Sequence, residues 1–437
     1  MAQSPSQRIR LTVHCSQYMK ALAFVILLFT ADSAYPAAFD WPQWRGPNRD
    51  GHAAPGSPVP DKLPSEVKPL WRLEIGGGFS SPIVAADTLY YLDEADGQEV
   101  AHAVDASTGR EKWRLPYAAV FEDEWGKGPR STPMVDGERL YVQACNGEFR
   151  CLRATDGKVL WQTSFEKDFG VKFLGSKANE GTASRRGNNG SGVIDGNRLI
   201  LPVGGQNRNS LVAFDKLTGK VLWQTGNDEA AYSSFVVASF AGTRQVLAFT
   251  AEALLGANLE NGDILWRVPY RTAAKRHAAT PVVIGDCVTV NSHTIGLICL
   301  SVSRTETGWQ AKERWANRSL KINLATPVLV GGCLYSVGTG KNFVCVDAAT
   351  GEIKWSAPNF GSGNVDYIAV IAIGSRLLAL VEDGQLVLLE ASPQSCKELG
   401  RLQVCGKTWS HPAYANGRLF VRDRRQLLCL ELAAPKS

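Results

Sequence analysis

The chain has 437 residues, a formal net charge of +5 and 42 glycines. It is long enough to bury a sizeable core, and its glycine content suits an all-β chain full of turns. Its basic residues form no stripe beyond Arg185-Arg186 and Arg422-Asp423-Arg424-Arg425, read as solvated loop tips, so a nucleic-acid partner is not expected.

The N-terminus carries Arg8, Arg10 and Lys20, the apolar run 21–29, and small residues from Ala31 to Ala38. That order is a signal-peptide pattern over residues 1–38, with cleavage expected between about Ser33 and Ala38. The run is too short for a comfortable membrane span, and no later segment approaches the roughly 20 apolar residues of a transmembrane segment. Cys15 precedes the run, so the cysteine of a lipid anchor is missing, and a soluble periplasmic or secreted protein is expected. Loss of residues 1–38 lowers the charge from +5 to +3. Residues 39–65 form a proline-rich lead.

From residue 66 to 433 one unit recurs. It ends in Asp-x-x-Thr-Gly-x-x-x-Trp at Asp105/Gly109/Trp113, Asp215/Gly219/Trp223 and Asp347/Gly351/Trp355. Weaker copies keep the glycine-to-tryptophan step at Gly157/Trp161 and Gly262/Trp266; Gly308/Trp315 is stretched. With Trp71, these tryptophans fall 42, 48, 62, 43, 49 and 40 residues apart, the period of a four-stranded propeller blade. A short Asp side chain accepts from backbone N–H groups two or three residues on, and glycine supplies the positive φ that closes the turn. The tryptophan that follows is placed on an outer strand, its ring against the neighbouring blade.

Each unit opens on a small residue, often followed by proline, at the head of an apolar strand. Examples are Ser81-Pro82, Thr132-Pro133, Thr280-Pro281, Thr326-Pro327 and His411-Pro412, with divergent starts near Ser191, Ser234 and Tyr367. The expectation is an all-β, eight-bladed β-propeller. Its last blade joins the strand around Trp71 to the C-terminal strands, which closes the ring into a monomeric disc and removes free sheet edges.

Nine cysteines follow Cys15. Cys151, Cys299, Cys345 and Cys429 share one third-strand position with Ala103, Ala213 and Ala257, which implies tight packing. Cys287 and Cys333 precede two of them by twelve residues. Hairpins symmetric about His293 and Thr339 would set each pair face to face, as possible disulfides Cys287–Cys299 and Cys333–Cys345. No metal-type Cys-x-x-Cys spacing is present, and no metal site is expected.

In a propeller the loops entering the inner strands converge on the channel mouth. Reading that position in each unit selects Arg130, Asn188, His277, Asn323, Asp366 and His411 as a ligand-binding ring; none carries an independent catalytic signature. The 165–192 segment, rich in Lys and Arg, is a second candidate contact site, for a protein partner.

These repeats, with Asp40-Trp41-Pro42-Gln43-Trp44-Arg45-Gly46-Pro47, Gly77-Gly78-Phe79-Ser80-Ser81-Pro82, Gly128-Pro129-Arg130-Ser131-Thr132-Pro133 and Tyr232-Ser233-Ser234, resemble the quinoprotein-like propellers, whose repeat is named for pyrroloquinoline quinone (PQQ). Within them the chain looks most like the secreted BamB-like branch. The resemblance covers nearly the whole chain after residue 38 and implies the fold, with two functions in view. One is a non-catalytic binding or scaffold protein for an envelope protein or small ligand, with no cofactor. The alternative is an alcohol or sugar dehydrogenase using PQQ and calcium. The adjacent cysteines of many such dehydrogenases are missing, and no family active-site motif surrounds Asp366, Asn323 or Glu124, so no catalytic residue is carried across.

Overall fold

A computed structural model describes residues 39–434, except 67, 172–186, 273, 274, 276 and 362–366. The expected signal peptide, most of the 165–192 segment and Asp366 lie outside the described residues. Among those described, no helix is long and apolar enough to cross a membrane.

Eight antiparallel sheets of four strands form the ring, and a two-stranded ribbon, Glu122–Asp123 with Gly126–Lys127, is added beside the second blade. In the first blade the strands run outward as Ile83–Ala85, Thr88–Ala95, Gln98–Asp105 and Glu111–Ala119. The closing blade combines Ala413–Ala415, Arg418–Arg422 and Gln426–Glu431 with an outer strand from the other end of the chain, Trp71–Glu74. Trp71 pairs with Cys429, and its ring lies 6.0 Å from that of Phe420. The ring closes as the repeat spacing implies.

The repeat residues lock neighbouring blades together. Asp105 Oδ1 accepts from the backbone N–H groups of Ser107 and Thr108 at 3.1 and 2.8 Å, and Asp215 and Asp347 make the same turn. Its glycine then receives the tryptophan of the preceding blade. A Cβ on Gly109, at φ +72°, would sit 2.9 Å from the Trp71 ring, and Gly157, Gly219, Gly262 and Gly351 are covered likewise by Trp113, Trp161, Trp223 and Trp315. Each of these five indoles donates to a carbonyl in the same turn, Trp71 to Ala106 at 3.0 Å and Trp315 to Ala348 at 3.2 Å. Trp355 donates to Ser392 in the blade that lacks the motif. Trp266 is the exception. Gly308 falls at the tip of the long hairpin Gly296–Thr305/Gly308–Asn317, where an added Cβ meets nothing, and Trp266 bonds Gln245 of its own blade instead.

A small residue faces each of these tryptophans across the third strand: Ala103, Cys151, Ala213, Cys299, Cys345 and Cys429. For Trp266 it is Gly256, one residue before the Ala257 that the repeat alignment selects. In the seventh blade both partners change size together. Leu388 faces Gly400, and Leu63 from the lead lies where an added Cβ would reach it at 3.4 Å.

The disulfide expectation needs correction in register. The hairpins pair Cys287 with Ser301 and Cys333 with Asp347, so their centres are Thr294 and Gly340, one residue beyond His293 and Thr339. Each cysteine pair is therefore diagonal, and all nine cysteines of the described residues are free thiols. Cys287 and Cys299 are buried, as are Cys333 and Cys345.

The small residues at the strand heads form a belt around the channel. The backbone N–H of Thr132 donates to the Ser191 hydroxyl, that of Ser191 to Ser234, that of Thr280 to Thr326, and that of His411 to Ser81, each at 3.0 Å. A hydroxyl one blade on thus satisfies a donor that no strand pairing reaches.

Sequence reasoning did not place the lead. Residues 41–53 run through the centre of the ring and touch every blade. Trp41 exchanges backbone hydrogen bonds with Val84, Pro42 accepts from Val135, and Gly51 and Ala53 bracket Ala372. Arg49 reaches the carbonyls of Phe235 and Ser191, Trp44 the Thr280 hydroxyl, and Arg45 the carbonyl of Pro327. Trp41 stacks on His411 to complete the circuit. Trp41 and Arg45 are each only 1% exposed, so this segment is core. Burial lowers the Arg45 and Arg49 pKa values to about 10 and about 9, which leaves both charged near neutrality.

Candidate functional site

Above this plug, where the inner strands begin, lies a cavity of about 290 Å³. Residues from all eight blades line it, and Trp44 of the lead joins them at its base. Its walls are aromatic: Phe79, Trp125, Tyr232, Tyr367 and Trp409. Three of these rings are in contact, with Trp409 stacked on Phe79 at 5.6 Å between centroids and 27°, and Trp125 5.4 Å from Trp409. Trp125 is carried in by the two-stranded ribbon and is 44% exposed. Between the rings lie the amides of Asn189 and Asn323 and the hydroxyls of Thr132, Ser191 and Ser234.

Arg130 is the one cation among the described lining residues, and it is already occupied. Its guanidinium lies between the Phe79 and Phe121 rings, 5.2 and 4.8 Å from their centroids. It donates to Asp123 at 2.6 Å, in an ion pair whose carboxylate side chain is wholly buried. No carboxylate and no histidine lines the cavity among the described residues, and no three His, Cys, Asp or Glu side chains cluster to hold a metal among them.

The structure brings two of the six residues selected from sequence, Arg130 and Asn323, to this cavity. Asn188 is buried one residue behind Asn189, its amide donating to the Cys145 carbonyl at 3.1 Å. His277 is fully buried, bonded through Nδ1 to the Thr250 carbonyl at 2.6 Å and stacked on Phe249; burial lowers its pKa. His411 is locked between Pro412, Trp41 and Trp44, and burial with the nearby Arg45 charge lowers its pKa to about 3. Both imidazoles are packed behind the lining and are neutral near pH 7. Asp366 lies outside the described residues.

Choosing polar residues for the mouth missed its aromatic lining. A signal was present: of twelve tryptophans, seven belong to the repeat, and of the five left over Trp44, Trp125 and Trp409 line the cavity while Trp41 lies in the plug.

A family model described as outer membrane protein assembly factor BamB matches residues 64–168 and 96–357. No curated protein sequence matches the chain. Among solved structures, BamB from Moraxella catarrhalis is similar with a TM-score of 0.54 at 14% identity, over 83% of this chain and 98% of that one. The quinohemoprotein alcohol dehydrogenase ADHIIG from Pseudomonas putida HK5 is similar with a TM-score of 0.56 at 12% identity, over 92% and 81%. The computationally designed Ika8 protein gives 0.56 at 10% identity, over 82% and 98%. At such identities the likeness is one of fold, a fold shared by a redox enzyme and a designed protein.

Proposed function

The chain belongs to the family described as outer membrane protein assembly factor BamB, and from that premise we propose that it is a non-catalytic, extracytoplasmic binding propeller whose binding site is the aromatic mouth. The observation that carries this reading is the cavity itself. Every blade contributes to a concave, aromatic wall with a few polar groups, the composition of small-molecule and recognition sites. The plug supports it too, since residues 41–53 fill the channel below and give the cavity a base.

Chemistry at this site would need a group to move protons or electrons, and the described lining offers no carboxylate, histidine, lysine or cysteine for it. Its one guanidinium is held by Asp123, and both nearby imidazoles are kept neutral by burial. A quinone held by calcium is a poor fit to the same donor set. Calcium takes six to eight oxygen ligands, usually with carboxylates among them, whereas the described lining offers two amides, hydroxyls and no carboxylate. The proposed function accordingly includes no quinone and no metal.

The test is reconstitution of the purified protein, lacking residues 1–38, with PQQ and calcium, followed by gel filtration. The expected result is no stoichiometric quinone absorbance in the protein peak and no dye reduction on alcohols or sugars. A one-to-one complex that turns over would contradict the proposal.

A further inference from the structure

Building on the binding reading above, we infer that the mouth cavity takes an uncharged saccharide, one sugar ring seated against Trp409 and Trp125. Three observations select this chemistry. Trp409 stacks on Phe79 at 27° and meets Trp125 at a 51° tilt; this run of rings makes a wall for a flat apolar surface, and the C–H face of a pyranose is such a surface, with hydroxyls at its edge.

The second observation is the hydrogen-bonding inventory. The cavity is lined by the amide residues Asn189 and Asn323 and by the hydroxyl residues Thr132, Ser191 and Ser234. Ring hydroxyls, which both accept and donate, suit amides and hydroxyls of this kind.

Charge is the third. No carboxylate lines the described cavity, so a cationic ligand finds no counter-ion. For an anionic ligand, the charge of the one lining cation, Arg130, is already offset by Asp123. The nearby cations Lys407 and Arg424 lie over Trp409 and Phe79 but do not line the cavity, and Lys407 is paired with Glu382 at 2.7 Å. The size agrees with one or two rings, since small-molecule pockets begin near about 300 Å³.

The experiment titrates the protein lacking residues 1–38 with neutral mono- and disaccharides and their uronic-acid counterparts. Intrinsic tryptophan fluorescence and saturation-transfer NMR report binding, and a tryptophan-bearing neutral peptide is a separate arm. Saturable binding of a neutral saccharide is expected, weakened at least tenfold in the uronate and at least tenfold by Trp409→Ala. Trp125→Ala, at an exposed position where folding is not at stake, is expected to weaken binding severalfold. Uronates bound as tightly as neutral sugars, or binding indifferent to both substitutions, would overturn the inference. If no saccharide binds while the peptide does, with loss on Trp409→Ala, the saccharide inference fails and the binding site stands. If neither binds, both fall.

Discussion

Trp41 stacks on His411 with 5.9 Å between ring centroids, while its backbone exchanges two 2.9 Å hydrogen bonds with Val84. A single residue of the lead thus bridges the last inner strand and the first, at the seam where the ring closes. Trp41→Ala removes that bridge and leaves a cavity at the centre of the molecule. The expected cost is about 3–5 kcal/mol of unfolding free energy, the usual range for a buried tryptophan, read from the urea midpoint.

The turn glycines separate two costs. At Gly109 an alanine bears the strain of φ +72° and drives its methyl into Trp71, whereas at Gly137, φ +56°, an added Cβ meets nothing. Gly137→Ala is expected to cost about 1 kcal/mol, the strain of a left-handed backbone on a non-glycine residue. Gly109→Ala is expected to cost at least about 1 kcal/mol more by overpacking. Thermal melts of the two variants make the comparison.

Glu99 is 0% exposed, accepts from the Tyr117 hydroxyl at 3.0 Å and keeps its other oxygen unpaired. Burial raises its pKa from 4.5 to about 7, against the opposing hydrogen bond from Tyr117. The folded protein therefore holds a proton that the unfolded chain releases, so stability falls as pH rises from about 4.5 to about 7, by roughly 3 kcal/mol. Glu99→Gln keeps an acceptor for Tyr117 and cannot ionise. Its stability is expected to stay flat across that window and to exceed that of the parent at pH 8, by urea denaturation at each pH.

Asp123→Asn breaks the ion pair that holds Arg130 between two phenylalanine rings. Leaving a buried charge without its partner typically costs about 3–5 kcal/mol. Asp123 also accepts from the backbone N–H of Trp125 at 2.9 Å. The variant is expected to loosen the ribbon that carries Trp125, visible as red-shifted, more quenchable tryptophan fluorescence.

The ring was legible because its signal is periodic and local. Asp105, Gly109 and Trp113 lie within nine residues, and each makes contacts that repeat from blade to blade. Even the seventh blade, which has no tryptophan, keeps apolar strands at Arg376–Val381 and Gln385–Glu390. The cavity was less legible because it depends on contacts far apart in sequence. Asn188 and Asn189 are adjacent and identical, and only the course of the loop before Val193 decides which of them lines the cavity. His411 reads as a polar mouth residue until Trp41 and Trp44, some 370 positions away, are seen to cover it. The plug lies in a stretch without strand periodicity, so nothing local marks Arg45 and Arg49 as buried.

Amide hydrogen exchange of residues 41–53 tests most directly whether the mouth is a cavity with a built base. The N–H groups of Trp41, Gly51 and Ala53 donate to Val84, Arg45 and Ala372 at 2.9, 3.0 and 2.9 Å. Their exchange is expected to be as slow as that of the inner-strand amides, requiring global unfolding. Exchange of these three amides at the rate of an exposed loop, with the blades still protected, would contradict the plugged ring and remove the floor from the proposed site.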